Sequence, residues 1–101
     1  MTRISVVTPV RNGARFLERT LASLRSQDHG DVEHIVVDGG STDGTLDLLR
    51  AASGIEWTSQ PDSGMYDAIN RGLRMASGEI VAYLSADDTY ASPDVLSSVA
   101  A

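Results

Sequence analysis

The chain has 101 residues, 42% hydrophobic and 22% charged, a balance that excludes a disordered polymer and fits one domain or part of a larger one. It has no cysteine, which excludes disulfides, thiol catalysis and zinc–thiolate sites. The formal net charge is −6, every basic residue is arginine, and a chain so acidic repels phosphate backbones, so nucleic acid is not an expected partner.

The elements alternate. Residues 3–8 (RISVVT) are short and β-branched and read as a buried strand that Pro9 ends. Asn12-Gly13 is a turn signal, with Asn12 as the expected helix cap. Leu17, Leu21 and Leu24 then recur at helical spacing across residues 14–26. Residues 34–38 (HIVVD) form a second strand. A loop from Gly39 to Gly44 follows, with a cap expected at Ser41 or Thr42 of a helix that carries Leu46 and Leu49. Residues 55–59 form a third, weaker strand, with Trp57 in the core, closed by Pro61. Met65, Ile69, Leu73 and Ala76 mark the expected inner face of a third helix, which Gly78 stops. Residues 79–84 form a fourth strand, Asp87-Asp88 follows it, and Pro93 is expected to open a last helix. Strands alternating with helices imply a three-layer, Rossmann-like α/β sandwich. Right-handed crossovers favour a mainly parallel sheet of order 3-2-1-4. Ligands in such sheets bind beyond the strand C-terminal ends, where the chain reverses beside strand 1.

Three of those ends carry polar groups. Adjacent carboxylates at Asp87 and Asp88 repel each other, and a hard divalent cation reverses that sign; a solvated turn is the competing reading. Neighbours on a strand point to opposite faces, so the pair shares a site only if the chain turns there. Asp38 ends the second strand, where a carboxylate can accept from a sugar hydroxyl or a base N–H, or merely organise the turn. The following loop is neither a Walker A motif nor G-x-G-x-x-G, which removes the main support for ATPase and nicotinamide functions. Arg11 either steadies a phosphate or pairs with a surface acid. His29 and His34 have no metal or triad spacing and read as structural or exposed. Residues 1–50 hold six arginines and seven acids and residues 51–101 two and seven, which suits either a cation site or a solvated acidic face in the second half.

Four stretches, 5–12 (SVVTPVRN), 35–45 (IVVDGGSTDGT), 60–72 (QPDSGMYDAINRG) and 76–88 (ASGEIVAYLSADD), together resemble the nucleotide-binding half of family 2 glycosyltransferases, which have the GT-A fold. The resemblance implies that Pro9, Val10, Arg11 and Asp38 contact the nucleobase, with Asp38 taking its N–H. It implies that Asp62 and Arg71 lie near base or phosphates. Asp87 holds the ribose or shares a metal, and Asp88 binds the metal through the diphosphate. The implied cation is Mn²⁺ or Mg²⁺, the donor a UDP- or dTDP-sugar, and the acceptor a glycan or lipid-linked glycan. Such transferases are longer and carry their general base in a second half. Residues 1–101 are therefore expected to be one partial GT-A domain, cut at its C-terminus, that binds the donor and holds no catalytic residue. The expected location is cytoplasmic, peripheral at the inner membrane face in the full-length protein. The strand-4 edge, with Ile80, Ala82 and Leu84, is expected to be open to self-association. Two other functions compete. A nucleotidyltransferase calls for a glycine-rich, basic loop after strand 1, where this chain has one glycine and no lysine. A non-catalytic nucleotide-binding or oligomerisation module is the other.

Overall fold

The computed structural model describes residues 2–61 and 64–100. The chain forms β1 (Ile4–Val10), α1 (Ala14–Arg25), β2 (Val32–Asp38), α2 (Thr45–Ala51), β3 (Ile55–Ser59), α3 (Met65–Met75), β4 (Ile80–Tyr83) and α4 (Val95–Ala100). The four strands make one sheet of order β3-β2-β1-β4, parallel throughout. The predicted order and layering are thus the observed ones.

Side-chain alternation along β1 divides the core. Ile4 and Val6 pack with Leu24, Leu84 and Leu96, and Val10 packs with Leu17, Leu21, Val36 and Leu49, so α1, α2 and α4 cover one face. Trp57 is half-buried at the margin of the second cluster. Val7, Ile35 and Val37 face Ala68 of α3 on the other side. No helix among the described residues is long and apolar enough to cross a membrane.

Pro9 does not end β1. The Val10 carbonyl accepts from Gly39 N beside β2, whereas the Val7 carbonyl accepts from Leu84 N beside β4. In a parallel ladder alternate residues bond to alternate sides, so Pro9 is in phase with Val7 and faces β4. That strand ends at Tyr83, opposite Val7, and a missing N–H costs nothing where the partner has gone. Strand β1 therefore continues to Val10 along β2 alone.

The inner face of α3 also differs from expectation. Its buried residues are Ala68, Arg71 and Gly72, while Met65 and Leu73 are 60% and 46% exposed. At Gly72 the helix lies too close to the sheet for any side chain: a Cβ there would stand 2.3 Å from Val7 Cγ1. Close approach puts small residues at Ala68 and Gly72 and leaves Met65 and Leu73 outward, while Met75 and Ala76 still pack against the core at the end of the helix. At the β4 edge, alternation along the strand turns the expected apolar residues inward. Ile80 and Ala82 pack against the first cluster and Leu84 belongs to it, whereas Val81 and Tyr83 are the exposed pair. The Tyr83 hydroxyl reaches Met65 Sδ at 3.7 Å, so these outward groups share one surface.

Candidate functional site

The loops after β1 and β2 are bound to each other by side chains. Asn12 stands at φ 52 and does not cap its own helix; α1 starts after Gly13 with no side-chain cap of its own. Instead Asn12 N donates to Ser41 Oγ (2.8 Å), Gly13 N to Thr45 Oγ1 (3.0 Å) and Ala14 N to Asp43 Oδ2 (3.2 Å). Asn12 Oδ1 in return accepts from Thr42 N at 2.7 Å. The donors that a helix start leaves unpaired are satisfied from about thirty positions along the chain. Neither Ser41 nor Thr42 caps α2, whose Thr45 N donates to Asp43 Oδ1. Those bonds hold the Asp43 carboxyl below its ordinary pKa, the Thr45 hydroxyl foremost.

Asp38 organises the same loop. It is fully buried. Its Oδ2 accepts from Gly40 N (3.0 Å), Ser41 N (2.9 Å) and Ser59 Oγ (2.8 Å), and its Oδ1 from Ser41 Oγ. Burial alone pushes its pKa up, but the bonds from Ser41, Ser59 and Gly40 outweigh it and hold the carboxyl below the ordinary value. Asp38 thus stands at the same rim as the loops after β1 and β4, but its side chain is turned into its own loop.

A cleft of about 710 Å³ opens where β1 and β4 diverge. Pro9, Val10, Arg11, Asn12 and Gly13 form one wall, Tyr83, Ser85, Ala86 and Asp87 the opposite one, and Phe16, Gly64, Met65 and Ala68 complete it. Of the predicted site residues, Pro9, Val10, Arg11 and Asp87 are brought together here. Asp38, Arg71 and Asp88 do not line the cleft. Arg71 is buried on α3 with Nη2 3.5 Å from the Gln60 carbonyl, and Asp62 lies outside the described residues. Phe16, Met65 and Tyr83 line the cleft although the sequence reading did not select them. The available signal was large apolar residues, exposed, next to the polar strand ends.

The chain does turn at the acidic pair. Asp88 N donates to the Ser85 carbonyl at 3.0 Å, closing a β-turn, and Asp87 Oδ1 accepts from Ser85 Oγ at 2.7 Å. Both acids are exposed, and the Asp88 carboxylate has no hydrogen-bond or salt-bridge partner among the described residues. No group of three or more His, Asp or Glu side chains forms a self-contained metal site among those residues. This donor set fits a hard cation that takes one or two carboxylates and completes its shell with phosphate oxygens and water. A cation held by side chains of the described residues alone does not fit.

Away from the cleft, His34 is buried between sheet and α1, its Nε2 2.8 Å from Thr8 Oγ1. Burial, helped by Arg25, lowers its pKa to about 4, so it is neutral at pH 7. Of the two alternatives, structural or exposed, it is the buried one, bonded to Thr8 inside the sheet. Glu33 accepts from Ser77 N, Ser5 Oγ and Ser77 Oγ at the opposite, N-terminal rim of the sheet.

Comparison with known proteins agrees with this geometry. The family model Glycosyl transferase family 2 matches residues 5–101. An uncharacterized glycosyltransferase of Mycobacterium tuberculosis is 42% identical over 99 residues, covering 92% of this chain and 37% of that protein. The mannosyltransferase PcManGT from Pyrobaculum calidifontis, solved with GDP-Man and Mn²⁺, superimposes with a TM-score of 0.89 at 32% identity, over 94% of this chain and 30% of that one. S. aureus TarS 1-349, solved with UDP-GlcNAc, gives a TM-score of 0.88 at 28% identity, over 97% of this chain and 30% of that one. The chain spans less than half the length of each.

Proposed function

The chain belongs to glycosyl transferase family 2, and from that premise we propose that it is the donor half, a partial GT-A domain, of an inverting, metal-dependent transferase. In this reading the whole enzyme passes sugar from a UDP- or dTDP-sugar to a glycan or lipid-linked acceptor. The observation that carries it is the cleft between β1 and β4, with the exposed Arg11 on one wall and Asp87 on the other, at the rim where α/β sheets bind ligands. Two structural neighbours, solved with GDP-Man and Mn²⁺ and with UDP-GlcNAc, support a nucleotide sugar as the occupant.

The residues take these parts. Pro9 and Val10 lie along the base and Arg11 steadies base or phosphate charge. Asp38, enclosed by Gly40, Ser41 and Ser59, fixes the loop behind the base rather than meeting the base N–H directly. Arg71 supports the segment after β3 from behind, and Asp62 belongs to that segment. Asp87 and Asp88 would hold Mn²⁺ or Mg²⁺, and the chemistry the cation would supply is Lewis-acid neutralisation of charge on the leaving diphosphate. Deprotonating the acceptor hydroxyl needs a base on the opposite face of the sugar, which this reading assigns to the rest of the longer enzyme. The chain alone therefore binds donor without transferring sugar. The exposed β4 edge, with Val81 and Tyr83, lets it self-associate.

Calorimetric titration of UDP, with and without Mn²⁺, tests the reading. Mn²⁺ strengthens binding about tenfold, and Asp88→Ala abolishes the Mn²⁺ effect while preserving metal-free binding. GDP binds more weakly than UDP. Absence of heat with UDP, dTDP and GDP alike would refute the donor function and leave the family and fold.

A further inference from the structure

Between β4 and α4 the chain has no ladder or helix to satisfy its backbone, and α1 supplies the partners. Thr20, Ser23 and Gln27 lie three and four residues apart, on one side of α1 and just past its end. Tyr90 N donates to Ser23 Oγ at 2.7 Å. Gln27 Nε2 donates to the Ser92 carbonyl at 2.7 Å, and its Oε1 accepts from Leu96 N at 3.0 Å. The Thr20 hydroxyl, 1% exposed, lies 2.7 Å from the Ala86 carbonyl and 2.8 Å from the Asp88 carbonyl. Those two carbonyls flank Asp87.

We propose that Thr20 is a positioning residue for the acidic pair: one buried hydroxyl draws the carbonyls of Ala86 and Asp88 inward and so leaves both carboxylates directed away from α1. The inference rests on the donor reading for what the pair binds, but not for the turn itself. The hydroxyl also lies 3.5 Å from the Phe16 carbonyl of its own helix, and its single O–H proton is shared chiefly between the two nearer carbonyls, either of which loses the bond if the turn opens. Ser23 and Gln27 then anchor the segment beyond it, so that the turn cannot relax by sliding along α1. The need is electrostatic. Two like charges side by side favour an opened turn, and a cation is gripped well only if they are already held together.

The test compares Thr20→Val, which keeps the shape and removes the hydroxyl, with Thr20→Ser, which keeps the hydroxyl and removes a methyl. Thr20→Ala serves as a second hydroxyl-free variant should valine prevent folding. The first readout is the ¹⁵N order parameter of the amides at 87–90. It is expected to fall from the rigid value of about 0.85 to below about 0.6 in the valine variant and to recover in the serine variant. The second is the ratio of UDP affinities with and without Mn²⁺, expected to fall about tenfold in the valine variant with metal-free affinity unchanged. Order parameters unchanged in both hydroxyl-free variants overturn the proposal. So does an equal fall of metal-free and metal-dependent affinity, which is the mark of a general structural role, or a serine variant as impaired as valine. Wild-type protein whose UDP affinity ignores Mn²⁺ overturns the donor reading instead, and the order parameters still decide whether Thr20 fixes the turn.

Discussion

Asp38 accepts four hydrogen bonds in a fully buried position, and two substitutions there separate the importance of its shape from that of its charge. In Asp38→Ala the Gly40 and Ser41 amides lose their acceptor and cannot turn away, because the backbone fixes them. At about 1–3 kcal/mol for each buried donor left unmade, the loss is roughly 2–6 kcal/mol, before any cavity cost. The hydroxyls of Ser41 and Ser59 add less, since they rotate. Asp38→Asn is different because the bonds are unevenly divided. Three donors converge on Oδ2, which the asparagine oxygen can replace. Only the Ser41 hydroxyl meets Oδ1, and it can turn to accept from the new amide group. What remains lost is charge assistance, roughly 1–2 kcal/mol. Urea denaturation at pH 7 should therefore rank wild type above Asn above Ala, with Asn clearly separated from Ala. The folded pKa of Asp38 is lowered, so its contribution is present above the ordinary 3.8 and is lost as pH falls through the folded value. The gap between wild type and Asn should accordingly close below that pH. An asparagine variant as unstable as alanine, or a gap that persists in acid, would refute this account of the loop.

Three further outcomes follow from the packing. His34 has its pKa lowered from 6.5 to about 4 by burial, so the protein should lose about 3 kcal/mol of stability as pH falls through that window, and His34→Gln should remove the slope; a flat wild-type profile would count against it. Gly72→Ala gains about 1 kcal/mol of helix propensity yet sets a methyl 2.3 Å from Val7 Cγ1. Overpacking should win by about 1–2 kcal/mol, and Val7→Ala in the same chain should recover part of the thermal midpoint; an alanine variant as stable as wild type sinks the close-approach argument. Self-association seen in sedimentation should diminish in a Val81→Lys, Tyr83→Lys double variant, whereas a wild-type monomer at high concentration removes the edge proposal.

The strands and their order were legible because short β-branched runs and crossover handedness leave little freedom. Val36, Val37 and Ile35 could be nothing but interior. The inner face of α3 was not legible, since hydrophobicity ranks Met65 and Leu73 above Ala68 and Gly72, and the helix-to-sheet distance that reverses this ranking is a tertiary quantity. Caps differ from expectation for a related reason. Asn12, Ser41 and Thr42 have the right chemistry, but Asn12 bonds to the loop of Ser41 and Thr42 and they to its own, and local spacing sees only the next turn. Of the cleft residues, Arg11 and Asp87 stand out as polar groups at strand ends, whereas Pro9 and Val10 are reached only through the family resemblance. Asp38 stood out equally, and nothing in a sequence says that its carboxylate turns inward. Thr20 was hidden inside a leucine stripe, where a hydroxyl passes for a small core residue.

The exchange of bonds between Asn12–Ala14 and Ser41–Thr45 bears on how the molecule folds. The N–H groups of Asn12, Gly13 and Ala14 that lead into α1 find their acceptors only in a segment some thirty residues downstream, so the start of the helix is secured when the two loops meet. The two βα units should open and close as one cooperative block in hydrogen exchange, with amides at 12–14 and 42–45 sharing a single opening free energy. A wall of the cleft is then only as rigid as the weaker of the two units that hold it.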